Sequence, residues 1–232
     1  MKIKILPLLE GAVRAEGIAV VIDVFRAFSL ECYLYHLGVK EVIPVASLEN
    51  ALRLKRQHPD FLLFGEKMGL NQQGFDFGNS PFYAQQAELK GKSIIHSTSS
   101  GTRGLLTALA SQAEIVITGS YVNAAAIARY ILDQQPEKVT LIPMGWACEY
   151  VTQEDQFCAE YIISLLKSEP DPHPDYMIEL YETDGKRFFN PENQQSMPIA
   201  DFFLCLQRNI FDFILKAEQD KTGIVKLQKI DI

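Results

Sequence analysis

Short apolar runs rich in β-branched residues alternate with amphipathic segments along most of this chain. The strand-like runs cover residues 18–25, 41–46, 61–66, 93–98, 114–119 and 138–144. Helical patterns cover residues 27–37, 47–57, 81–90, 102–112, 121–134 and 152–167. The nearly continuous apolar character of the strands is typical of parallel strands covered on both faces. The alternation predicts an α/β fold with three layers, α/β/α, and a mostly parallel or mixed sheet.

A segment rich in proline and acid, residues 168–175, separates this region from the rest of the chain. Beyond it the pattern predicts a strand over 178–183, a helix over 199–217 and a final strand over 223–230. We expect one domain over residues 1–232, in which 176–232 is a candidate for a small C-terminal lobe. A chain of this length buries roughly 70% of its unfolded surface, so it needs no disulfide to fold.

Charge and cysteine content narrow the partners that this chain can have. The net charge of −7 argues against nucleic acid, which is bound by basic surfaces. The four cysteines show no CxxC spacing, which predicts reduced thiols in the cytoplasm and no zinc site. Glu10 and Arg14 interrupt the first apolar run, and no apolar stretch approaches the ~18 residues that span a bilayer. We therefore expect a cytoplasmic protein that binds neither nucleic acid nor membrane.

Polar side chains recur where the predicted strands end. Ligands of open α/β sheets bind at the carboxyl ends of the strands, where several loops converge. The recurrence therefore predicts one site at that edge of the sheet. The residues at these strand ends are Asp23, Arg26, Glu66, Lys67, residues 97–103, Ser120, Asn123, Glu154 and Asp155.

The turn STSSGTR, residues 97–103, joins a predicted strand to a predicted helix. Backbone N–H groups at a helix start, hydroxyls and a glycine suit phosphate binding, and the helix dipole favours an anion there. The alternative is an ordinary helix cap and turn without a ligand. Arg103 favours phosphate binding because a guanidinium grips an oxyanion with two hydrogen bonds. No GxxxxGK[ST] motif is present, so we do not predict nucleotide binding.

Acidic residues near this turn suggest a magnesium site. Asp23 directly follows an apolar strand, where a carboxylate needs a cation. One interpretation is an ion pair with Arg26, and the other, which we favour, is a magnesium ligand or a nucleophile. Glu66 is interpreted in the same way, whereas Asp76 lies between glycines and can simply build a turn.

Two further acids, Glu154 and Asp155, begin a predicted helix. The helix dipole alone favours acids there, but Asp155 shares the inward stripe of Cys158 and Ile162. This position favours a wall of the site for Asp155.

Three other side chains have plainer interpretations. His96 lies beside the hydroxyl-rich turn and can act as an acid or base, but a buried structural histidine is the favoured interpretation. Cys158 and Trp146 are interpreted as packing residues.

In these same stretches the sequence resembles the 2-phosphosulfolactate phosphatase family. The matching segments run in the family's order over almost the full chain. They are VIDVFRA (21–27), GEKMG (65–69), GFDFGNSP (74–81), STSSGTRGL (97–105), GSYVNAAA (119–126), QEDQFCA (153–159) and DFFLCLQRN (201–209).

The resemblance implies a magnesium-dependent phosphatase that converts 2-phospho-3-sulfolactate to 3-sulfolactate in coenzyme M biosynthesis, with the family's own α/β fold. Ser100 stands where the family usually has Asn, and MGWACEYVT replaces a glycine-rich approach to the acid pair. Both departures can alter the substrate pocket without removing the hydrolytic machinery. The positions that match the family pattern are Asp23, Arg26, Glu66, Asp76, Asn79, Ser80, Thr98, Gly101, Thr102, Arg103, Asn123, Glu154 and Asp155.

These observations assign three groups of expected roles around a small, anionic, phosphorylated substrate. The expected catalytic residues are Asp23, Arg26, Glu66, Arg103 and Asp155. The expected substrate-binding residues are Asn79, Ser80, Thr98, Ser99, Ser100, Gly101, Thr102 and Asn123. The expected Mg²⁺ ligands come from Asp23, Glu66, Asp76, Glu154 and Asp155. A homodimer is a candidate assembly.

Three alternatives stay open. A haloacid-dehalogenase-like phosphatase would use Asp23 as nucleophile, but it expects a second acid where Phe25 stands. A non-catalytic sensor of phosphorylated metabolites would keep residues 97–103 without needing so many carboxylates. A purely structural or partner-binding domain is disfavoured by the polar strand ends.

Overall fold

The computed structural model describes residues 1–232 and contains nine strands and nine helices, together with short 3₁₀ turns. The strands are β1 (Lys2–Ile5), β2 (Glu16–Ile22), β3 (Glu41–Val45), β4 (Leu62–Gly65), β5 (Ser93–Ser97), β6 (Gln112–Gly119), β7 (Lys138–Pro143), β8 (Phe213–Gln219) and β9 (Val225–Asp231). The helices are α1 (Leu8–Val13), α2 (Ala27–His36), α3 (Leu48–Gln57), α4 (Pro81–Ala84), α5 (Gly101–Leu109), α6 (Ala124–Gln134), α7 (Gln153–Lys167), α8 (Tyr176–Glu182) and α9 (Ile199–Leu206).

One nine-stranded mixed sheet, in the order β1-β7-β2-β6-β8-β9-β3-β5-β4, organises the molecule. The first four strands of this order are parallel to one another, as are the last three. The antiparallel hairpin β8–β9 joins the two parallel groups, through the pairs Ile117–Lys216 and Val42–Leu227. The predicted α/β fold is confirmed, and the sheet is of the mixed kind.

Side chains of β2 show why the sheet is covered on both faces. Ala19 and Val21 pack into a core shared with α1, α2 and α5, whereas Val20 and Ile22 pack into a core shared with α6 to α9. Successive residues of a strand point to opposite faces, so a strand buried on both sides must be apolar throughout. This packing confirms the three-layer arrangement. None of the helices is both long and apolar enough to cross a lipid bilayer.

Three predicted elements differ from the structure. The strand predicted over 178–183 is part of helix α8, because Tyr176 and Leu180, four residues apart, are buried while Ile178 is exposed. The helix predicted over 81–90 ends at Ala84, and turns follow it.

The helix predicted over 199–217 ends at Leu206, and its second half is strand β8. Asn209 between them adopts a left-handed backbone conformation (φ 57°), which ends helical geometry. Phe213, Ile214 and Leu215 are all buried, because β8 is covered on both faces of the sheet. Its partner β9 lies later in the chain, so the pairing leaves no local signal in this segment.

Candidate active site

A cavity with an empty volume of about 410 Å³ lies where the ends of β2, β4, β5 and β7 meet. Its wall combines acids, arginines, an amide and aromatic rings. The predicted site residues on the wall are Asp23, Arg26, Glu66, Asn79, Ser99 and Ser100. Residues that sequence reasoning did not assign to the site are also on it, among them Phe25, Trp146, Arg187 and Met197.

Asp23 follows the buried strand β2, and its carboxylate is held by two backbone N–H groups. Ala27 donates to Oδ1 over 3.1 Å and Gly101 donates to Oδ2 over 2.9 Å. Burial raises the pKa of the Asp23 carboxyl to about 6, and the negative charge of Glu66 adds to this rise. Asp23 therefore changes protonation near neutral pH.

Glu66, at the end of β4, is held by the turn that precedes α5. The backbone N–H of Ser99 donates to Oε1 over 2.7 Å, the Ser99 hydroxyl donates to Oε2 over 3.1 Å, and the Gly69 N–H also donates to Oε2. The backbone N–H of Thr98 donates to the Thr102 hydroxyl, and the N–H of Thr102 donates to the Thr98 hydroxyl. The N–H groups of Ser99, Gly101 and Thr102 therefore serve protein acceptors, and the first two orient Glu66 and Asp23.

Asp155 lies in the first turn of α7 and ties two strand ends together. Val24 and Gly145 donate backbone N–H groups to its two oxygens, each over 2.8 Å. Burial raises the pKa of Asp155 to about 8, and the charge of Asp23 adds to the rise. Asp155 thus ties the segment after β2, which carries Asp23, to the segment after β7, and it is not itself among the residues that line the cavity.

Glu154, beside it, is also buried, and burial raises its pKa well above the usual range. Its Oε1 lies 3.6 Å from the guanidinium of Arg187, and its Oε2 has no hydrogen-bond partner. The acid therefore faces Arg187, a residue of the cavity wall.

Arg26 does not pair with Asp23, which was the alternative interpretation of that acid. Its Nη1 donates to Asp201 over 2.8 Å and to the carbonyl of Ser196 over 2.6 Å. Asp201 is fully buried and also accepts the hydroxyl of Ser80 over 2.8 Å. Ser80 therefore fixes the partner of Arg26, while Nε and Nη2 of Arg26 have no protein acceptor.

Arg187 and Trp146 are the functional candidates that sequence reasoning missed. The Arg187 guanidinium lies 4.6 Å from the centre of the Trp146 ring and also lies over Phe25. The unusual MGWACEYVT stretch was a signal for Trp146. Arg187 lies far along the chain in a short 3₁₀ turn, and no pattern in its own segment marks it.

Other predicted residues lie beside this cavity or away from it. Arg103 and Thr98 line a neighbouring groove with Lys67, and the groove shares Glu66 and Ser99 with the cavity.

Asp76 is not brought to the cavity. Its Oδ2 accepts the Leu63 N–H and forms a salt bridge with Lys55 at 2.9 Å, so it holds the loop after β4. The Ser120 N–H donates to Oδ1 of Asn123, and Nδ2 of Asn123 donates to the carbonyl of Phe213. Asn123 therefore links the end of β6 to the β8–β9 hairpin.

The carboxylates of the cavity could hold a magnesium ion only if water and substrate supplied most of its ligands. The structure has no group of three or more His, Cys, Asp or Glu side chains placed to hold a metal ion by themselves. Asp23 and Glu66 nevertheless both face the cavity, repel each other and lack a cationic partner of their own. Mg²⁺ is commonly held by one or two carboxylates and completed by water and substrate oxygens. The donors therefore fit that arrangement and not a closed ring of acids.

Fold and cavity together define a class of protein, an α/β protein with an acidic, arginine-bearing cleft at the carboxyl ends of parallel strands. The family model described as 2-phosphosulpholactate phosphatase matches residues 6–220. The chain belongs to this family, as the resemblance in its motifs predicted.

Three relatives named "Probable 2-phosphosulfolactate phosphatase" show the extent of the similarity. The protein of Clostridium tetani is 34% identical over 218 residues, which cover 89% of this chain and 91% of the relative. The protein of Bacillus subtilis is 30% identical over 210 residues, which cover 88% of each chain. The protein of Clostridium perfringens (strain SM101) is 40% identical over 153 residues, 64% of this chain and 60% of its own length.

Proposed function

We propose that this protein is a Mg²⁺-dependent phosphatase that hydrolyses the phosphate monoester of a small hydroxy acid, with 2-phospho-3-sulfolactate as the expected substrate. The observation that carries the proposal is the cavity in which Asp23 and Glu66 face Arg26 and Asn79. Family membership and the names of the relatives support the reaction and the substrate.

Hydrolysis replaces the ester P–O bond with a bond to a water oxygen, and the leaving alkoxide takes up a proton. Burial and the nearby charge of Glu66 raise the pKa of Asp23, so a cation beside these two carboxylates would stabilise their ionised forms. The free Nε and Nη2 of Arg26 can donate to the phosphoryl oxygens, because Asp201 holds only Nη1. A Mg²⁺ ion bound by Asp23 and Glu66 would supply positive charge to the phosphoryl oxygens.

The proposed substrate carries a carboxylate and a sulfonate besides its phosphate, and the cleft offers further cations for them. Arg187 lies on the cavity wall, and Lys67 and Arg103 line the adjoining groove. We favour Arg187 for the sulfonate because it lies on the cavity wall together with Arg26, and its guanidinium lies over the Trp146 ring. Arg187 is therefore the proposed specificity residue.

Phosphate release from 2-phospho-3-sulfolactate, measured with Mg²⁺ and then with excess EDTA, tests the proposal. We expect turnover that EDTA abolishes, and a loss of turnover in Asp23→Asn. Arg187→Gln should raise KM for this substrate about tenfold and change KM much less for 2-phospholactate, which lacks the sulfonate. If the protein binds 2-phospho-3-sulfolactate but hydrolyses no phosphomonoester, the result would favour the alternative of a non-catalytic sensor.

A cytoplasmic location belongs to the same proposal, and the four free cysteines are in keeping with it. The homodimer stays a prediction, which sedimentation velocity would test. The proposed role in coenzyme M biosynthesis depends only on the identity of the substrate. If the protein hydrolyses other phosphorylated hydroxy acids but not 2-phospho-3-sulfolactate, that role loses its support.

A further inference from the structure

Two fully buried ionisable side chains lie directly behind the cavity wall. Oε1 of Glu31, on α2, is 2.8 Å from Nδ1 of His96, on β5. The other ring nitrogen, Nε2, is 3.0 Å from Oδ1 of Asn79, which lines the cavity. A continuous chain of hydrogen bonds therefore runs from α2 through the sheet to the cavity.

Stability alone gives no reason for this pair. Replacing buried ionisable pairs by apolar side chains is often neutral or stabilising, because removing two such groups from water is costly. The cost is higher here because Oε2 of Glu31 has no hydrogen-bond partner. A role at the cavity wall, through Asn79, explains why the pair is placed here.

The directions of the hydrogen bonds follow from the requirement that this dry pair carries no net charge. Such a pair holds two protons, either as a neutral Glu31 carboxyl with a neutral His96 or as a carboxylate with an imidazolium. Burial raises the pKa of Glu31, which favours the neutral form. In the neutral form the Glu31 carboxyl hydrogen has His96 Nδ1 as its only acceptor, because Oε2 of Glu31 has no partner, and the ring hydrogen is then on Nε2. An imidazolium carries hydrogens on both nitrogens. In both forms His96 therefore donates through Nε2 and Oδ1 of Asn79 accepts.

The orientation of Asn79 leaves its NH₂ group for the cavity. Nδ2 has no protein acceptor, and Asn79 lies on the cavity wall with Asp23 and Arg26. We propose that Glu31 and His96 are a positioning pair that fixes the Asn79 amide with its NH₂ group turned into the cavity, where it donates to an oxygen of a bound phosphoryl group. The inference rests on the proposed function for the phosphoryl ligand. A flipped amide would present its carbonyl to the phosphoryl oxygen and repel it, so a fixed orientation favours the anion.

The first experiment observes the resting protein and needs no turnover. In ¹⁵N-labelled protein, nuclear magnetic resonance should show a hydrogen bonded to Nε2 of His96, with the signal assigned by its absence in His96→Gln. The Nδ2 hydrogens of Asn79 should shift when inorganic phosphate is added. A His96 Nε2 without a hydrogen would overturn the inference, because Asn79 would then donate to His96 and present its carbonyl to the cavity.

The second experiment measures the affinity for inorganic phosphate by calorimetry. Asn79→Ala should weaken binding by about tenfold to a hundredfold, as expected for loss of a hydrogen bond to a charged group. His96→Leu should weaken it similarly and add little in the Asn79→Ala background, since His96 acts through Asn79. His96→Gln should keep most of the affinity, because its amide nitrogen can take the place of Nε2.

Controls separate positioning from folding. Thr118→Val removes a buried hydroxyl that has no partner and should leave phosphate affinity unchanged. If His96→Leu does not fold, the double variant Glu31→Leu/His96→Leu replaces it, because removing both partners leaves no unpaired buried group. Additive losses, or equal losses in His96→Gln and His96→Leu, would overturn the positioning role.

The proposed function can fail independently of this inference. If the protein binds phosphate as described but hydrolyses no phosphomonoester, the catalytic proposal fails while the positioning pair stands. If the unmodified protein binds no inorganic phosphate, the Asn79 donor is overturned.

Discussion

Asp23 and Asp155 are buried carboxyls whose pKa values are raised from 3.8 to about 6 and about 8. The folded protein therefore keeps protons that the unfolded chain releases. In the metal-free protein, the contribution of these two groups to the free energy of unfolding is therefore largest below about pH 4, where both are protonated in the folded and the unfolded chain. This contribution decreases as the pH rises towards 8. A cation that neutralises the deprotonated carboxylates opposes this loss.

Magnesium should consequently stabilise the protein more at high pH than at low pH. We expect 10 mM Mg²⁺, roughly a saturating concentration for a weak site, to raise Tm clearly at pH 8 and hardly at pH 5. Differential scanning fluorimetry with Mg²⁺ or EDTA measures the shift. Asp23→Asn should abolish the pH-dependent part, and an equal shift at both pH values would count against a carboxylate site.

The buried ion pair between Arg26 and Asp201 provides a second prediction about single residues. Asp201→Asn should lower the free energy of unfolding by about 3 kcal/mol, because Arg26 would stay buried without its counter-ion. The matched control is Asp212→Asn, which breaks an exposed pair with Arg129 and should cost less than about 1 kcal/mol. Urea unfolding measures both, and equal effects would contradict a special role for the buried pair.

At the level of elements, the start of helix α5 fixes the position of Asp23, the proposed catalytic residue. A Cβ atom at Gly101 would lie 2.7 Å from Oδ2 of Asp23, so a side chain there must displace the carboxylate. The close approach also brings the Gly101 N–H to the same oxygen. The glycine is thus required by geometry at the site and not by helix formation, which alanine favours.

Gly101→Ala should therefore reduce kcat/KM for phosphate release by on the order of a hundredfold while the protein stays folded. The control is Thr107→Ala on the same helix, whose hydroxyl bonds only to the carbonyl of Arg103. Circular dichroism checks the fold of each variant. Full activity of Gly101→Ala would mean that the position of Asp23 is not critical for the reaction.

At the level of the whole molecule, the hairpin β8–β9 makes two parallel groups of strands into one sheet. Leu215 of β8 is fully buried in a core that also contains residues of α2, α5 and β3. The last part of the chain thus contributes to the packing that surrounds the first part. Unfolding of the hairpin would expose both parallel groups.

Leu215→Ala should therefore lower the stability of the entire molecule by about 2–5 kcal/mol. The single tryptophan, Trp146, reports on the cavity, and far-ultraviolet circular dichroism reports on all helices. We expect the two urea transitions to coincide in the unmodified protein and in the variant, as in a cooperative unit. Lys216→Ala, the neighbouring partly exposed position, is the control, and separated transitions would indicate independent halves.

The sequence by itself determined the layers of the fold and the edge of the sheet that holds the site. Strands β2 to β7 were predicted because buried strands need continuous apolar runs, and such runs are visible within a few residues. Asp23 and Glu66 were predicted at the cleft because carboxyl ends of parallel strands converge. These inferences need only local patterns and one rule of topology.

The tertiary structure alone decided which partners the side chains have. Asp201 lies 175 residues from Arg26 in the chain, and Arg187 reaches the cavity from a late turn that carries no motif. The sequence predicted that the backbone N–H groups of the turn at 97–103 bind phosphate. In the structure the N–H groups of Ser99 and Gly101 donate instead to the carboxylates of Glu66 and Asp23. The tertiary packing also placed β8 in the middle of the sheet. Partner choice depends on which distant surfaces pack together, and local propensity contains no information about that.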